Sequence, residues 1–113
     1  DMATRYVIVT LRNNSNQPYY VAVGCTVVLN KISGSGCNLN ASGNPYTDLP
    51  VQLVWVYPNQ QTTVTFTFDD SNIGGVRTYG GQPLYAIVKV WMNYVNGVPS
   101  NCIAGAYGLG FVE

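Results

Sequence analysis

Histidine is missing from the 113 residues, and charge is scarce: five Lys or Arg face five Asp or Glu, 9% of the chain, for a formal net charge of zero. An ordinary soluble domain carries about 25% charged residues. Without an imidazole the chain lacks the side chain that most often serves as general base or metal ligand near neutral pH. A His-dependent triad cannot be built, and no Ser-x-x-Lys arrangement offers the Ser–Lys variant. Five scattered cations cannot assemble the basic face that nucleic acid or anionic lipid requires. No run reaches the roughly 18–20 apolar residues of a membrane helix, and no basic segment leads into a short apolar one as in a secretion signal. The three cysteines include no Cys-x-x-Cys pair, so no zinc pattern is present. The expectation is a protein that is not an enzyme, holds no cofactor or metal, and has no nucleic-acid partner and no membrane span.

Helical periodicity is also lacking. No stretch places apolar residues at 3.6 spacing, and strong helix formers are few. What the chain has instead is period-2 alternation of β-branched and aromatic residues with polar ones. Residues 3–12 read as a first strand with Val7, Val9 and Leu11 on one parity and Tyr6, Ile8 and Thr10 on the other. Residues 13–18 form a loop, and 19–29 a long second strand. A turn at 31–36 and an irregular polar run from 37 to 48 follow. Residues 49–57 carry Leu49, Val51, Leu53, Trp55 and Tyr57 on one face, and a hairpin at 58–61 leads into 62–68, where Val64, Phe66 and Phe68 point in and Thr63, Thr65 and Thr67 point out. A loop with two Gly-Gly pairs spans 69–83, and 84–95 is a strand apolar on both parities. Asn96-Gly97 is the dipeptide that tight hairpins prefer, and 103–112 alternates again. Strands at this spacing, with Gly, Pro and Asn between them, predict an all-β fold, a single antiparallel β-sandwich of Ig-like or jelly-roll-like kind. A chain this long can bury about two-thirds of its unfolded surface in one core.

Cys25 shares its parity with Val21, Val23, Val27 and Leu29, which points it inward as a buried free thiol. Cys37 and Cys102 stand in or beside polar loops and are the favoured disulfide pair, with a bridge through Cys25, or none, as alternatives. Asn13-Asn14-Ser15 and Asn40-Ala41-Ser42 make Asn13 and Asn40 candidate glycosylation sites. A surface made of amides and hydroxyls suits a protein packed against its own copies or coated with glycan. With the chain starting at Asp1, these features lead to the expectation of a processed, extracellular product.

Few residues could carry chemistry. Asp69-Asp70, followed by Ser71-Asn72, could offer oxygen ligands to calcium, but capping of a turn accounts for the same residues better. Gly74-Gly75 and Gly80-Gly81 have no lysine or helix N-terminus behind them, so loop geometry explains them better than phosphate binding. The nine Tyr could mark a contact surface, although half-buried packing explains most of them, and Trp55 and Trp91 read as core anchors before ligand platforms.

The first strand stands apart. It is apolar on both parities and is followed by a hinge-like loop, so it can pair within its own sandwich or leave to complete a neighbour's sheet. Ten extended residues span roughly 33 Å. Burying on the order of 600 Å² of apolar surface would contribute about 15 kcal/mol before ordering costs. In this style the chain resembles the subunits of extracellular filaments built by donor-strand exchange, the β-sandwich pilins of bacteria and the threads and bundling pili of archaea. It lacks the long apolar N-terminal helix of type IV pilins and archaeal flagellins. The resemblance implies a surface-fibre subunit whose partners are identical subunits. Residues 1–12 would be the donor strand, 13–18 the hinge and 19–113 the sandwich core. The inserted row would be Tyr6 and Ile8, or Val7, Val9 and Leu11, with the C-terminal row Tyr107, Leu109 and Phe111 as alternative donor. A secreted module that binds carbohydrate or protein, and a viral coat protein, are the rival expectations.

Overall fold

A computed structural model describes residues 3–113, so residues 1 and 2 of the expected donor strand lie outside the described residues. Seven strands run in the order β1 (Arg5–Arg12), β2 (Tyr19–Leu29), β3 (Tyr46–Asp48), β4 (Gln52–Val56), β5 (Gln61–Phe68), β6 (Pro83–Val95) and β7 (Val98–Phe111). Every ladder is antiparallel. β1 and β5 form a two-stranded sheet, with Arg5 opposite Phe68 and Arg12 opposite Gln61. The other sheet runs β3-β2-β6-β7, and β4 shares the outer edge of β2 with β3. Pro50 divides these two short strands: it has no N–H to give the ladder, while Leu49 just before it still donates to the Cys25 carbonyl at 2.9 Å. The expected antiparallel sandwich is therefore present, with layers of unequal width.

The core lies between the sheets. β2 contributes Val21, Val23, Cys25, Val27 and Leu29, and β6 contributes Leu84, Ala86, Val88 and Val90. From β5 come Val64, Phe66 and Phe68, with the intervening threonines exposed or half-exposed outside, as the alternation predicts. Val7, Val9 and Leu11 of β1 pack on this core from the edge. Asn96 and Gly97 both take positive φ, 53° and 75°, the backbone that a two-residue turn matched to strand twist requires.

Four readings of the sequence change. The segment 69–83 holds a 3-10 turn at Asp70–Ile73 and a single helical turn, α1, at Val76–Tyr79. The run 37–48 is not wholly irregular: it ends in β3 and is braced by a bridge between Ser33 and Asn40. β7 begins at Val98, so the terminal hairpin is longer than the alternation from 103 suggested. Finally, the row Val51, Leu53, Trp55 and Tyr57 faces solvent, while Val56 on the opposite parity is buried. β4 is apolar on both parities, and its pairing with β2, Leu53 opposite Ala22 and Val54 opposite Val21, decides which side faces in.

Cys37 and Cys102 are bonded, and Cys25 is a buried free thiol. The bridge pins the 3-10 turn Gly36–Asn38 onto the outer face of the larger sheet, where Lys89 Nζ donates to the Cys37 carbonyl at 2.9 Å. Closing a loop with a sequence separation of 65 residues stabilises the fold by about 4 kcal/mol in the chain-entropy picture. Burial pushes the Cys25 thiol up from 9.0 to about 11. A thiol raised on folding contributes stability that is complete below pH 9 and lost as pH climbs to about 11, because the unfolded chain ionises first. Chemical unfolding should thus give a flat midpoint from pH 5 to 9 and then a fall of about 2 kcal/mol by pH 11. Alkylation without reductant should modify one cysteine, Cys25, and only after denaturation. Rapid labelling of the native protein, or a midpoint that drifts below pH 9, would contradict this.

Candidate functional site: the edge strand and its groove

The narrower sheet leaves part of the wider one bare. β1 bonds to β5 on one side and, among the described residues, to no strand on the other. Opposite its open edge runs β7, whose inner row is set by register: Ile103 faces Val90, Gly105 faces Val88 and Tyr107 faces Ala86. Ile103 and Tyr107 are each 58% exposed despite pointing the way the core residues of β6 point. Val7, Val9 and Leu11 are only half-buried for the same reason, since no strand closes their flank. The resulting groove is lined by Val7, Val9, Val88, Tyr107 and Leu109, and a second hollow continues past Leu11 over Val90, Met92 and Ile103. Glycine at 105 lets the Tyr107 ring lie back along its strand, because a Cβ there would stand 2.8 Å from the phenol oxygen.

Arg5 closes one end of this groove. Its Nε lies 3.0 Å from Asp70 Oδ1, its Nη2 donates to Asp70 Oδ2 at 3.0 Å and to the Phe111 carbonyl at 2.7 Å, and its Nη1 donates to the Leu109 carbonyl at 3.3 Å. Asp70 Oδ2 also accepts the Glu113 N–H at 2.9 Å. The aspartate side chain is 2% exposed and the arginine 18%, so this is a largely desolvated pair that ties the start of β1 to the 3-10 turn, while the carbonyl bonds of Arg5 reach the end of β7. Asp69, by contrast, is half-buried with its carboxylate at the surface, and it caps the 3-10 turn, accepting the Ser71 hydroxyl and the Ser71 N–H. Those contacts, the hydroxyl first, hold its carboxyl below the usual range. The two adjacent aspartates therefore do separate structural jobs, which fits the turn reading better than the calcium reading.

The other end of β1 is governed by Asn13, which is buried. Its N–H donates to Gln60 at 3.1 Å, and its carbonyl accepts from Asn59 at 2.7 Å, so it extends the β1–β5 ladder by one residue. Its amide Nδ2 donates to Val56 at 2.9 Å and to Gln17 at 2.7 Å, and Oδ1 accepts from Ser15. Asn13 was expected as a glycan acceptor. In this fold its nitrogen is enclosed and bonded on both hydrogens, an environment that disfavours a glycan, whereas Asn40 is exposed. The loop 13–18 is likewise not slack at its first residue, because Asn13 braces it.

Of the expected donor residues, Val7, Val9 and Leu11 face the core, while Tyr6 and Ile8 are 61% and 65% exposed on the outside. The structure brings Arg5 and Asp70 together across 65 residues, a pair that no local pattern advertises. A comparison with protein-family models and with curated proteins finds no match to this chain.

Proposed function

We propose that the protein is a structural subunit of an extracellular filament, polymerised by donation of β1 into the sandwich of a neighbouring copy. The observation that carries this reading is the edge position of β1: among the described residues its backbone ladder runs to β5 only, it supplies half-buried core residues, and it joins β2 through one short loop. The rival donor is poorly suited. β7 is paired to β6 from Val98 to Phe111 and is tethered by the Cys37–Cys102 bond, so withdrawing it would dismantle the larger sheet.

In this reading the hinge would lie within the expected loop 13–18, past its first residue. The backbone bonds of Asn13 and its bond to Val56 all reach the β4–β5 hairpin and would move with the acceptor, as the β1–β5 ladder would. Exchange then needs rearrangement only beyond Asn13, where its bond to Gln17 and the Ser15 contacts are broken. Arg5 would find the Asp70 of the acceptor and fix the register of insertion. A disulfide and an exposed sequon at Asn40 accord with an oxidising, extracellular setting.

Negative-stain imaging of the purified protein tests the proposal. Filaments are expected. Closed shells would instead favour a coat protein, and dispersed monomers at every concentration would sink the filament reading.

A further inference from the structure

We infer that the outer face of β4 is a binding platform for a neutral polysaccharide, a function independent of the filament reading. Trp55 and Tyr57 stand on this face, each 50% exposed, with ring centroids 6.1 Å apart and planes only 16° from parallel. Tyr20 on β2 is opposite Trp55 in the ladder and packs against the indole at 5.0 Å, which holds the ring in place from one side. Two half-exposed, nearly parallel rings set side by side along one strand offer an aromatic surface on which the apolar C–H faces of pyranose rings can stack. Aliphatic residues of similar area would not provide the negative π-face that attracts those C–H groups. Exposed amides at Asn59 and Gln60 follow after Pro58 in the adjoining turn and would supply partners for sugar hydroxyls.

Charge and size select the occupant. Residues 13–30 and 49–68, which supply β2, β4 and the hairpin to β5, contain no charged side chain. Around Trp55 and Tyr57 an acidic or basic partner would find nothing complementary, because the charged Asp48 and Lys89 lie beyond the Val51 end of the row. The platform is also narrow. The loop that Cys37 pins to the sheet stands over Ile87 and Lys89, and the exposed row from Val51 to Tyr57 is one strand wide and only about 20 Å long. That is too little for the roughly 800 Å² per partner that a stable pairing of two copies buries. A single glycan chain lying along β4 fits the same strip.

The test uses the whole protein with microcrystalline cellulose and colloidal chitin in depletion assays, and with cellohexaose and chitohexaose followed by tryptophan fluorescence. At least one of these neutral probes should bind. Trp55→Ala with Tyr57→Ala should weaken that binding by about tenfold or more, with the circular dichroism unchanged. Tyr57→Ala alone, which leaves the Tyr20–Trp55 contact intact, should give a smaller loss in the same direction, and Ile8→Ser on the opposite sheet none. Absence of binding to all four probes, equal binding by the double variant, or salt-sensitive binding of alginate in their place would overturn the proposal. So would a change from dimer to monomer in the double variant by sedimentation, which would make this face a contact between copies.

Discussion

Removal of residues 1–12 is expected to abolish assembly, and a synthetic peptide of residues 1–13 is expected to convert the truncated chain into a soluble monomer. β1 shields Val64, Phe66 and Phe68, which are 2%, 2% and 5% exposed in the intact fold, and its backbone satisfies one whole edge of β5. Without it the apolar face and an unpaired edge open together, a state prone to aggregate but not to polymerise in order. The peptide carries Arg5, Val7, Val9, Leu11 and Asn13, which are all the groups that the intact chain uses to fill the slot. It lacks a domain of its own, so it caps rather than propagates. Electron microscopy and sedimentation read both halves of the result. Ordered fibres from the truncated chain would show that β1 is not the donor, and failure of the peptide to restore a folded monomer would show that the slot beside β5 is not an acceptor.

The second large effect is expected at Asp70. Asp70→Ala should lower stability by about 3 kcal/mol, at the lower end for breaking a buried ion pair, because Arg5 keeps the carbonyls of Leu109 and Phe111 as acceptors. For a domain of this size that corresponds to a fall in Tm of about 10 °C or more. Replacing both partners, Arg5→Met with Asp70→Leu, should recover much of the loss, since no charge is then left buried and unpaired. Asp69→Ala should cost clearly less, because that carboxylate is exposed and serves only a turn. Thermal unfolding of the three variants beside the unaltered protein decides the matter. Equal losses at Asp69 and Asp70 would mean that the Arg5–Asp70 pair contributes nothing beyond what a turn cap does. If β1 is exchanged between subunits, Asp70→Ala should also shorten or dissolve the filaments, because the same contact would then lie between copies.

How much of this was readable beforehand differs element by element. β5 was plain because its two parities differ in chemistry: Val64, Phe66 and Phe68 against Thr63, Thr65 and Thr67 leave one way to face the core. The hairpin at Asn96-Gly97 was plain because few other dipeptides tolerate positive φ at both positions. The inward aim of Cys25 followed from the same alternation along β2, and it left Cys37 and Cys102 as the pair to bridge. β4 and β1 were not decidable in this way. Each is apolar on both parities, so an alternating pattern cannot say whether Trp55 or Val56, or Ile8 or Val7, belongs inside. Asn13 was misjudged for a related reason: a sequon is a local signal, and the burial of its amide depends on Val56, which lies 43 residues away.

The sequence by itself determined the all-β architecture, the strand alternation and the neutral surface, because these depend on residue type and on contacts between near neighbours. Tertiary structure decided the faces of β1 and β4, the union of Arg5 with Asp70, the bare inner face of β7 and the ring stack on β4. Each of those depends on which strand lies beside which, and in what register, over separations that no local preference spans. A shift of one residue in pairing turns every side chain of a strand to the other face, so where both faces are apolar only the neighbouring strand can choose.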